Sequence, residues 1–363
     1  MNKDPKVSNI QIRALVISTV VGVGILGLPN QLANAMDKDG WIAIILSIIL
    51  TIPMLIIINT IFKDNPGKDF FEIGNLALGK IIFTICLIIY LLYYIAAAAF
   101  ISRLLGDLIK GYLLINTPIQ IIIILYLISI GYAAISDIDV VARIAYLTYW
   151  LEIGFGVLLV LLSLPGADFT NVLPLFQSDI SKLPEGLRAG IFSFMGFEIL
   201  LFAIPYAEEK EKVLKTSISA VIIIGVLYLL IFFATITNLS LQRIKSDPHP
   251  VLMLAKLIDL PGYFLQNLDG LVLTIWVIAI FSTIVPVTFS TGKILSKMFK
   301  TKTHKMFILM LIPVVYLVAL IPRSIFKMKE IMIYVTEYLG AAIVFIIPLT
   351  ILIVGRIRGR KKQ

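Results

Sequence analysis

The sequence is poor in the residues that build disulfide frameworks, metal clusters and nucleotide sites. It has one cysteine, Cys86, and two histidines, His249 and His304, in 363 residues. A single thiol excludes a disulfide framework and a thiolate metal cluster, and two distant histidines in predicted loops make no metal site. A glycine loop followed by Lys-Ser or Lys-Thr, which would hold nucleotide phosphates, is absent as well. We therefore expect no metal, no cofactor and no catalytic residues, and a protein that is not an enzyme.

Charged residues are also scarce, at 15% of the chain, whereas 59% of the residues are hydrophobic. Ordinary soluble domains carry about 25% charged residues, so a water-soluble chain this apolar could not cover its own surface. The apolar runs are continuous rather than alternating, which excludes membrane strands. The formal net charge of +9 comes from cations in short connections between apolar runs, where cations flank membrane helices. The composition predicts an all-α polytopic membrane protein that contacts the lipid bilayer and binds no nucleic acid.

Ten segments are long and apolar enough to span a bilayer, which takes about 20 residues. They are Ile10–Met36, Trp41–Phe62, Ile81–Gly111, Pro118–Ile135, Val140–Leu164, Glu185–Pro205, Val213–Asn238, Leu268–Met298, Met306–Ile321 and Ile331–Val354. An even number of spans puts both termini on one side, and that side carries most of the 31 lysines and arginines. Both termini are therefore predicted to be cytoplasmic. Because no linker rich in Gly or Ser appears, we expect a single transmembrane domain over residues 1–363.

The two long connections on the opposite side are Pro165–Pro184 and Leu239–Asn267, and each has room for a short interfacial helix. The second contains PVLMLAKLIDLPGYFL, which is amphipathic enough to lie on the membrane surface.

Two spans carry glycine and proline in their interiors. The first contains TVVGVGILGLP at 19–29, and the sixth contains SFMGFE at 193–198. Both residue types weaken helices, and lipid tolerates a freed backbone group only where it faces protein or a wet cavity. Spans one and six correspond in two five-helix halves, about 10–164 and 185–354. Because each half has an odd number of spans, the second enters from the opposite side, and this predicts an inverted repeat with a midplane binding site. Close helix packing at the glycines is the alternative.

A broken membrane helix predicts the kind of ligand. The N-terminus of a half-helix carries partial positive charge and suits a carboxylate, whereas exposed carbonyls suit an ammonium group or a small cation. A site with both features fits a zwitterion such as an α-amino acid.

The motifs GVGILGLP at 22–29 and SFMGFE at 193–198 resemble the first- and sixth-helix motifs of the amino acid–polyamine–organocation transporter superfamily. With its length, its ten spans and LVLTIWVIAIFSTI at 271–284, the chain more closely resembles the GerAB-type spore germination permease family, the B subunits of germinant receptors. The resemblance implies the LeuT-type five-plus-five inverted repeat, with helices 1 and 6 broken.

The resemblance also implies a function. Such B subunits act with a larger A-type membrane subunit and a C-type lipoprotein in the spore inner membrane of endospore-forming bacteria, and they recognise small germinants, commonly amino acids. The alternative is a proton- or sodium-coupled amino-acid permease that performs net transport through the same pocket.

The candidate ligand-binding residues come from four spans. The first span would offer main-chain groups to the ligand's carboxylate and amine at Gly22, Val23, Gly24, Ile25 and Leu26. The sixth span would form the other half of the cup, with an apolar lining at Phe194, Met195, Gly196 and Phe197. The third and eighth spans flank the substrate in the resembling fold, which adds Tyr93, Tyr94, Ala97 and Thr283. Packing and interhelical hydrogen bonding are the alternative for these residues.

Carboxylates inside spans are costly and point to a function. For Glu198, ligand or proton coupling and structural hydrogen bonding remain equally open. For Glu152 and Glu337 we expect an internal hydrogen bond or ion pair rather than a ligand contact.

Overall fold

The computed structural model describes residues 5–258 and 268–360. Within these ranges, the side chains that stay outside the description are Val23, Leu268, Asp269, Ile325, Phe326 and Arg360. The described chain is helical, and one isolated β-bridge joins Val7 to Ala207. Its α-helices are α1 (Asn9–Met36), α2 (Gly40–Lys63), α3 (Phe70–Leu78), α4 (Lys80–Tyr112), α5 (Ile119–Ala134), α6 (Ile138–Ser163), α7 (Leu183–Phe194), α8 (Leu200–Ala203), α9 (Val213–Asn238), α10 (Leu241–Ser246), α11 (Pro250–Leu257), α12 (Leu268–Met298), α13 (Lys305–Leu320), α14 (Ile325–Val335) and α15 (Ile347–Arg360).

Each segment predicted to be a span is largely helical, and the sixth contains an interruption that is described below. By length and composition, six helical stretches of the described residues can cross a membrane, or seven if the bent pair 180–194 and 197–206 is one span. The first half of α1, α5 and α13 form shorter apolar helices. The count of ten crossing segments stays a prediction, whereas an integral membrane protein with several apolar helices is what the structure shows.

Helix α1 lies at the centre of the molecule, packed against α6, α7, α9 and α12. It begins with a capping box, in which Ser8 and Gln11 exchange side-chain and main-chain hydrogen bonds. Just before it, the Val7 N–H donates to the Tyr206 carbonyl at 2.9 Å, and the Val7 carbonyl accepts from the Glu208 N–H at 3.0 Å. These bonds fasten the start of the first span to the end of the sixth.

The sixth span is interrupted as predicted. Helix α7 ends at Phe194, and the 3₁₀ turn Phe197–Ile199 and α8 continue at an angle of 41°. The first span is less interrupted than predicted, because its backbone stays helical from Asn9 to Met36 with Pro29 inside.

The tenth span is irregular in a way that the sequence did not indicate. Between α14 and α15 its backbone forms two π-helical turns, Thr336–Gly340 and Ala342–Ile346. π-helical turns often mark functional sites. The Tyr90 hydroxyl donates to the Ile343 carbonyl at 2.8 Å, so the irregular backbone has a polar partner inside the protein.

Two short helices also differ from the expectations. Helix α3 lies between the second and third predicted spans, outside every predicted helix, and Asp69 and Glu72 form a capping box at its start. Helix α11 was expected on the membrane surface. It instead buries Val251, Leu252 and Ala255 against α1, α9 and α12, because neighbouring helices offer its apolar face a protein surface.

Candidate ligand-binding site

Three glycines allow the first and sixth spans and their neighbours to meet at the centre of the molecule. A Cβ on Gly22 would overlap the Thr283 hydroxyl and lie 2.8 Å from the Ala279 carbonyl of α12. A Cβ on Gly24 would lie 2.7 Å from the Tyr228 hydroxyl. These approaches are those of close helix packing, which was the alternative explanation for the first-span glycines.

Gly196 is needed for its conformation as well as for its size. Its φ of +124° lies in the region that side chains disfavour, and a Cβ there would lie 2.6 Å from the Thr19 carbonyl. The sixth span therefore turns at a residue that also contacts the backbone of α1.

Neighbouring hydroxyl groups bind carbonyls of α1 without unwinding it. Thr283 donates to the Ser18 carbonyl at 2.6 Å. The Tyr228 hydroxyl lies 3.2 Å from the Val20 carbonyl and 3.0 Å from the Ser193 carbonyl of α7. A helix carbonyl has a second lone pair for such a bond, so α1 can hold its neighbours and remain helical.

The break in the sixth span is occupied by a carboxylate of the chain itself. The Gly196 N–H donates to Glu198 Oε2 at 2.8 Å, and Glu198 is 3% exposed. Tyr93 and Tyr94 of α4 lie close enough to interact electrostatically with this carboxylate. This contact is a structural hydrogen bond, one of the two roles that the sequence left open for Glu198.

The other predicted residues are mostly packed rather than open to a cavity. Phe194 meets Tyr228 edge to face with 5.4 Å between ring centroids, and Phe197 and Ala97 are buried. Ile25 faces a small cavity beside Glu152. The side chain of Val23 lies outside the described residues.

Gly24, Leu26 and Met195 are the predicted residues that line a large cavity, which we call the vestibule. Its volume is about 740 Å³, and its lining includes Pro248 and His249 of the second long connection. Its walls come from α1, α4, α7, α14, the π-helical turns and the loop before α11. Apolar side chains in these walls include Phe100, Leu104, Ile191, Phe192 and Phe345. The polar side chains are Asn30, Gln31, Asn34, Glu185, Arg188, His249, Lys329, Thr336 and Glu337.

An ion pair joins two walls of the vestibule. Arg188 Nη2 of α7 lies 3.2 Å from Glu337 Oε1 in the first π-helical turn. The expected ion pair of Glu337 is therefore present, but at the edge of the cavity rather than deep in the protein. It connects the first half of the sixth span to the tenth.

A second, much smaller cavity lies beside Glu152. Glu152 Oε1 accepts from the Ser282 hydroxyl at 2.6 Å, which is the internal hydrogen bond expected for this carboxyl group. Glu152 Oε2 and Trp276 Nε1 are both buried and have no hydrogen-bond partner among the described residues. The cavity that they line has about 10 Å³, close to the minimum for one water molecule.

Sequence reasoning did not find most of the polar groups of the vestibule. Asn30, Gln31 and Asn34 follow the first-span motif at positions that share a helix face, a signal that was readable. His249 and Lys329 carried no such signal, because a loop and the start of a helix bring them into one wall.

Comparison with solved structures identifies the fold. The crystal structure of MhsT in complex with L-phenylalanine is similar with a TM-score of 0.69 and 15% identity, covering 97% of this chain and 99% of that one. A substrate-bound, outward-open Na⁺-coupled sialic acid symporter is similar with a TM-score of 0.69 and 15% identity, covering 98% of this chain and 89% of that one. The predicted LeuT-type transporter fold is confirmed.

Comparison with known sequences identifies the family. "Spore germination protein GerLB" of Bacillus cereus is 27% identical over 361 residues, 98% of this chain and 96% of the relative. "Spore germination protein A2" of Bacillus subtilis (strain 168) is 26% identical over 360 residues, 98% of this chain and 97% of the relative. The family model described as "Spore germination protein", of the spore permease type, matches residues 6–328. The chain therefore belongs to the spore germination permease family, as its motifs predicted.

Proposed function

We propose that this chain is the B-type membrane subunit of a spore germinant receptor and binds a small germinant, an amino acid, in the vestibule. The vestibule is the observation that carries the proposal. Its volume of about 740 Å³ fits the range of small-molecule sites, which is roughly 300–1,000 Å³. Its lining includes Gly24 and Met195, beside the break in the sixth span, where the sequence predicts the ligand.

The vestibule also suggests how binding becomes a signal. A ligand that touches both α7 and the π-helical turns would favour the state in which these walls lie closest, because ligands shift conformational equilibria through differential contacts. The ion pair between Arg188 and Glu337 joins these two walls, so the distance between its charged groups would change with that movement. In this proposal the closed state is read by a larger A-type membrane subunit and a C-type lipoprotein.

The orientation belongs to the same proposal. Both termini would lie in the cytoplasm, and the vestibule would open away from it, across the spore inner membrane of an endospore-forming bacterium. The placement of lysines and arginines supports this orientation.

Binding and uptake, measured together, test the proposal. The full chain in proteoliposomes receives radiolabelled amino acids with and without proton and sodium gradients. Saturable binding without accumulation is the expected result for a receptor subunit. Gradient-driven accumulation would make the chain an amino-acid permease instead.

A pair of glycine variants tests the location of the site. Gly27 lines the vestibule, and a Cβ there would make only ordinary contacts of 3.5 Å or more. Gly27→Leu should therefore fill the cavity and weaken binding by about tenfold or more, which corresponds to roughly 1.4 kcal/mol. Gly154→Leu is the control, because nothing lies within 4 Å of a Cβ at Gly154 in α6. Wild-type affinity in Gly27→Leu would place the ligand outside the vestibule.

A further inference from the structure

A zwitterionic ligand needs a counter-charge for its carboxylate, and the break in the sixth span is a poor source of one. The Gly196 N–H that points into the break already donates to Glu198 Oε2 at 2.8 Å. A second carboxylate placed there would compete with Glu198 for this donor. The ligand carboxylate must therefore find its partner elsewhere in the vestibule.

The vestibule wall contains two cationic side chains, and they differ in what they contact. Arg188 already forms an ion pair with Glu337. Lys329, at the start of the tenth span, has no ion pair and no side-chain hydrogen bond among the described residues, and it is half-buried. Partly burying an ammonium group is unfavourable unless an anion or strong acceptors compensate. Lys329 is thus the cation of this wall with its charge available to a ligand.

His249 lies next to Lys329 and offers a hydrogen bond. Its Nδ1 is buried without a hydrogen-bond partner among the described residues, and the ring lines the vestibule. Burial and the nearby Lys329 charge lower the pKa of His249 to about 4, so the ring is neutral at neutral pH. A neutral imidazole with its proton on Nδ1 can donate to a carboxylate oxygen.

Asp247 holds the loop that presents this histidine. Its Oδ1 accepts from the main-chain N–H of His249 at 2.7 Å. Asp247 also lies close enough to interact electrostatically with Lys329 and with His249, but among the described residues it forms no ion pair with Lys329 within 4 Å. Lys329 and His249 therefore lie side by side with their side chains free of a direct bond to this acid among the described contacts.

We propose that Lys329 and His249 form a subsite for the carboxylate of the ligand, with Lys329 supplying charge and His249 supplying a directed hydrogen bond. This inference rests on the proposed function and narrows the ligand class to small molecules with a free carboxylate. The amine and side chain of an amino acid would then extend toward Gly24 and Met195, which also line the vestibule.

The test compares L-alanine, L-valine and L-phenylalanine with their α-amides, using radioligand binding and thermal stabilisation of the purified full chain in detergent. The wild type should bind the acids at least about tenfold more tightly than the amides. Lys329→Gln should weaken acid binding by about tenfold or more and leave amide binding unchanged. Lys329→Arg should retain the preference for acids, which separates the charge from a general effect on folding.

Lys327→Gln is the matched control, because Lys327 lies on the same helix, is 61% exposed and pairs with Glu330. It should bind like the wild type. Amides that bind as well as acids, or a Lys329→Gln variant with wild-type acid affinity, would overturn the subsite while germinant binding in the vestibule stands. A folded wild-type protein that binds neither the acids nor the amides would overturn the subsite and the proposed function together.

Discussion

Replacing Gly22 by alanine probes the tightest contact in the centre of the protein. Gly22 of α1 faces α12, where a Cβ would overlap the Thr283 hydroxyl and lie 2.8 Å from the Ala279 carbonyl. Thr283 has little freedom to move aside, since it donates to the Ser18 carbonyl at 2.6 Å. The Ala279 carbonyl belongs to a helix backbone and cannot move independently. The added methyl group must therefore separate two helices or break a buried hydrogen bond.

These effects set the size of the expected loss. Overpacking a core typically costs about 1–3 kcal/mol, and a lost hydrogen bond costs about 1 kcal/mol. Alanine favours a helix over glycine by about 1 kcal/mol, which offsets part of the loss. We expect Gly22→Ala to lower the free energy of unfolding by about 1–3 kcal/mol and the apparent melting temperature by roughly 2–6 °C.

The assay is the fraction of detergent-purified protein that survives heating, for four variants in parallel. Gly154→Ala, in the open space beside α6, should be as stable as the wild type or more stable. Thr283→Ala alone should be destabilised by about 1 kcal/mol, and Gly22→Ala should do less harm in that background because one of the two overlaps is gone. A Gly22→Ala protein as stable as Gly154→Ala, or an equal loss in both backgrounds, would refute the packing argument.

Three further predictions concern polar groups. Glu198→Ala should lower the free energy of unfolding by about 1–3 kcal/mol, because the buried Gly196 N–H loses its acceptor. Glu198→Gln keeps an acceptor oxygen and should lose less stability in the same heating assay. Equal losses in the two variants would contradict this reasoning. The folded-state pKa of His249, about 4, lies below its ordinary value of 6.5, so the unfolded chain binds more protons between these values and wild-type stability should fall as pH drops through that window. His249→Gln should reduce this fall by up to about 3 kcal/mol, and an unchanged pH profile of the melting temperature would count against it. Arg188→Gln should change stability by less than about 1 kcal/mol, because the ion pair with Glu337 is partly exposed, yet it should alter ligand affinity measurably.

The sequence alone was sufficient for the membrane class, the positions of the apolar helices and the fold family. Each apolar run can be recognised from its own residues, because the side chains that face lipid must be apolar whichever helices pack on the other side of the span. The interruption of the sixth span could be predicted for a similar local reason, because Gly196 adopts a φ that other residues disfavour.

The same glycine signal in the first span did not reveal that α1 stays helical. Whether a glycine-rich helix unwinds or packs tightly depends on what its neighbours offer, and here Thr283 and Tyr228 offer hydroxyl groups to its carbonyls. These partners lie more than 200 positions away in the chain. Nothing in the local sequence of α1 distinguishes the two outcomes.

Only the tertiary structure decided where an open cavity remains and which polar groups line it. Helix α11 and the loop before it were read as surface elements, yet they carry His249 into a wall that also contains Lys329. The Glu198 carboxylate likewise accepts a hydrogen bond from the backbone N–H of Gly196 inside the break of the sixth span. Apolar spans are determined residue by residue, whereas a binding site is determined by which distant segments meet, and that depends on the packing of the whole chain.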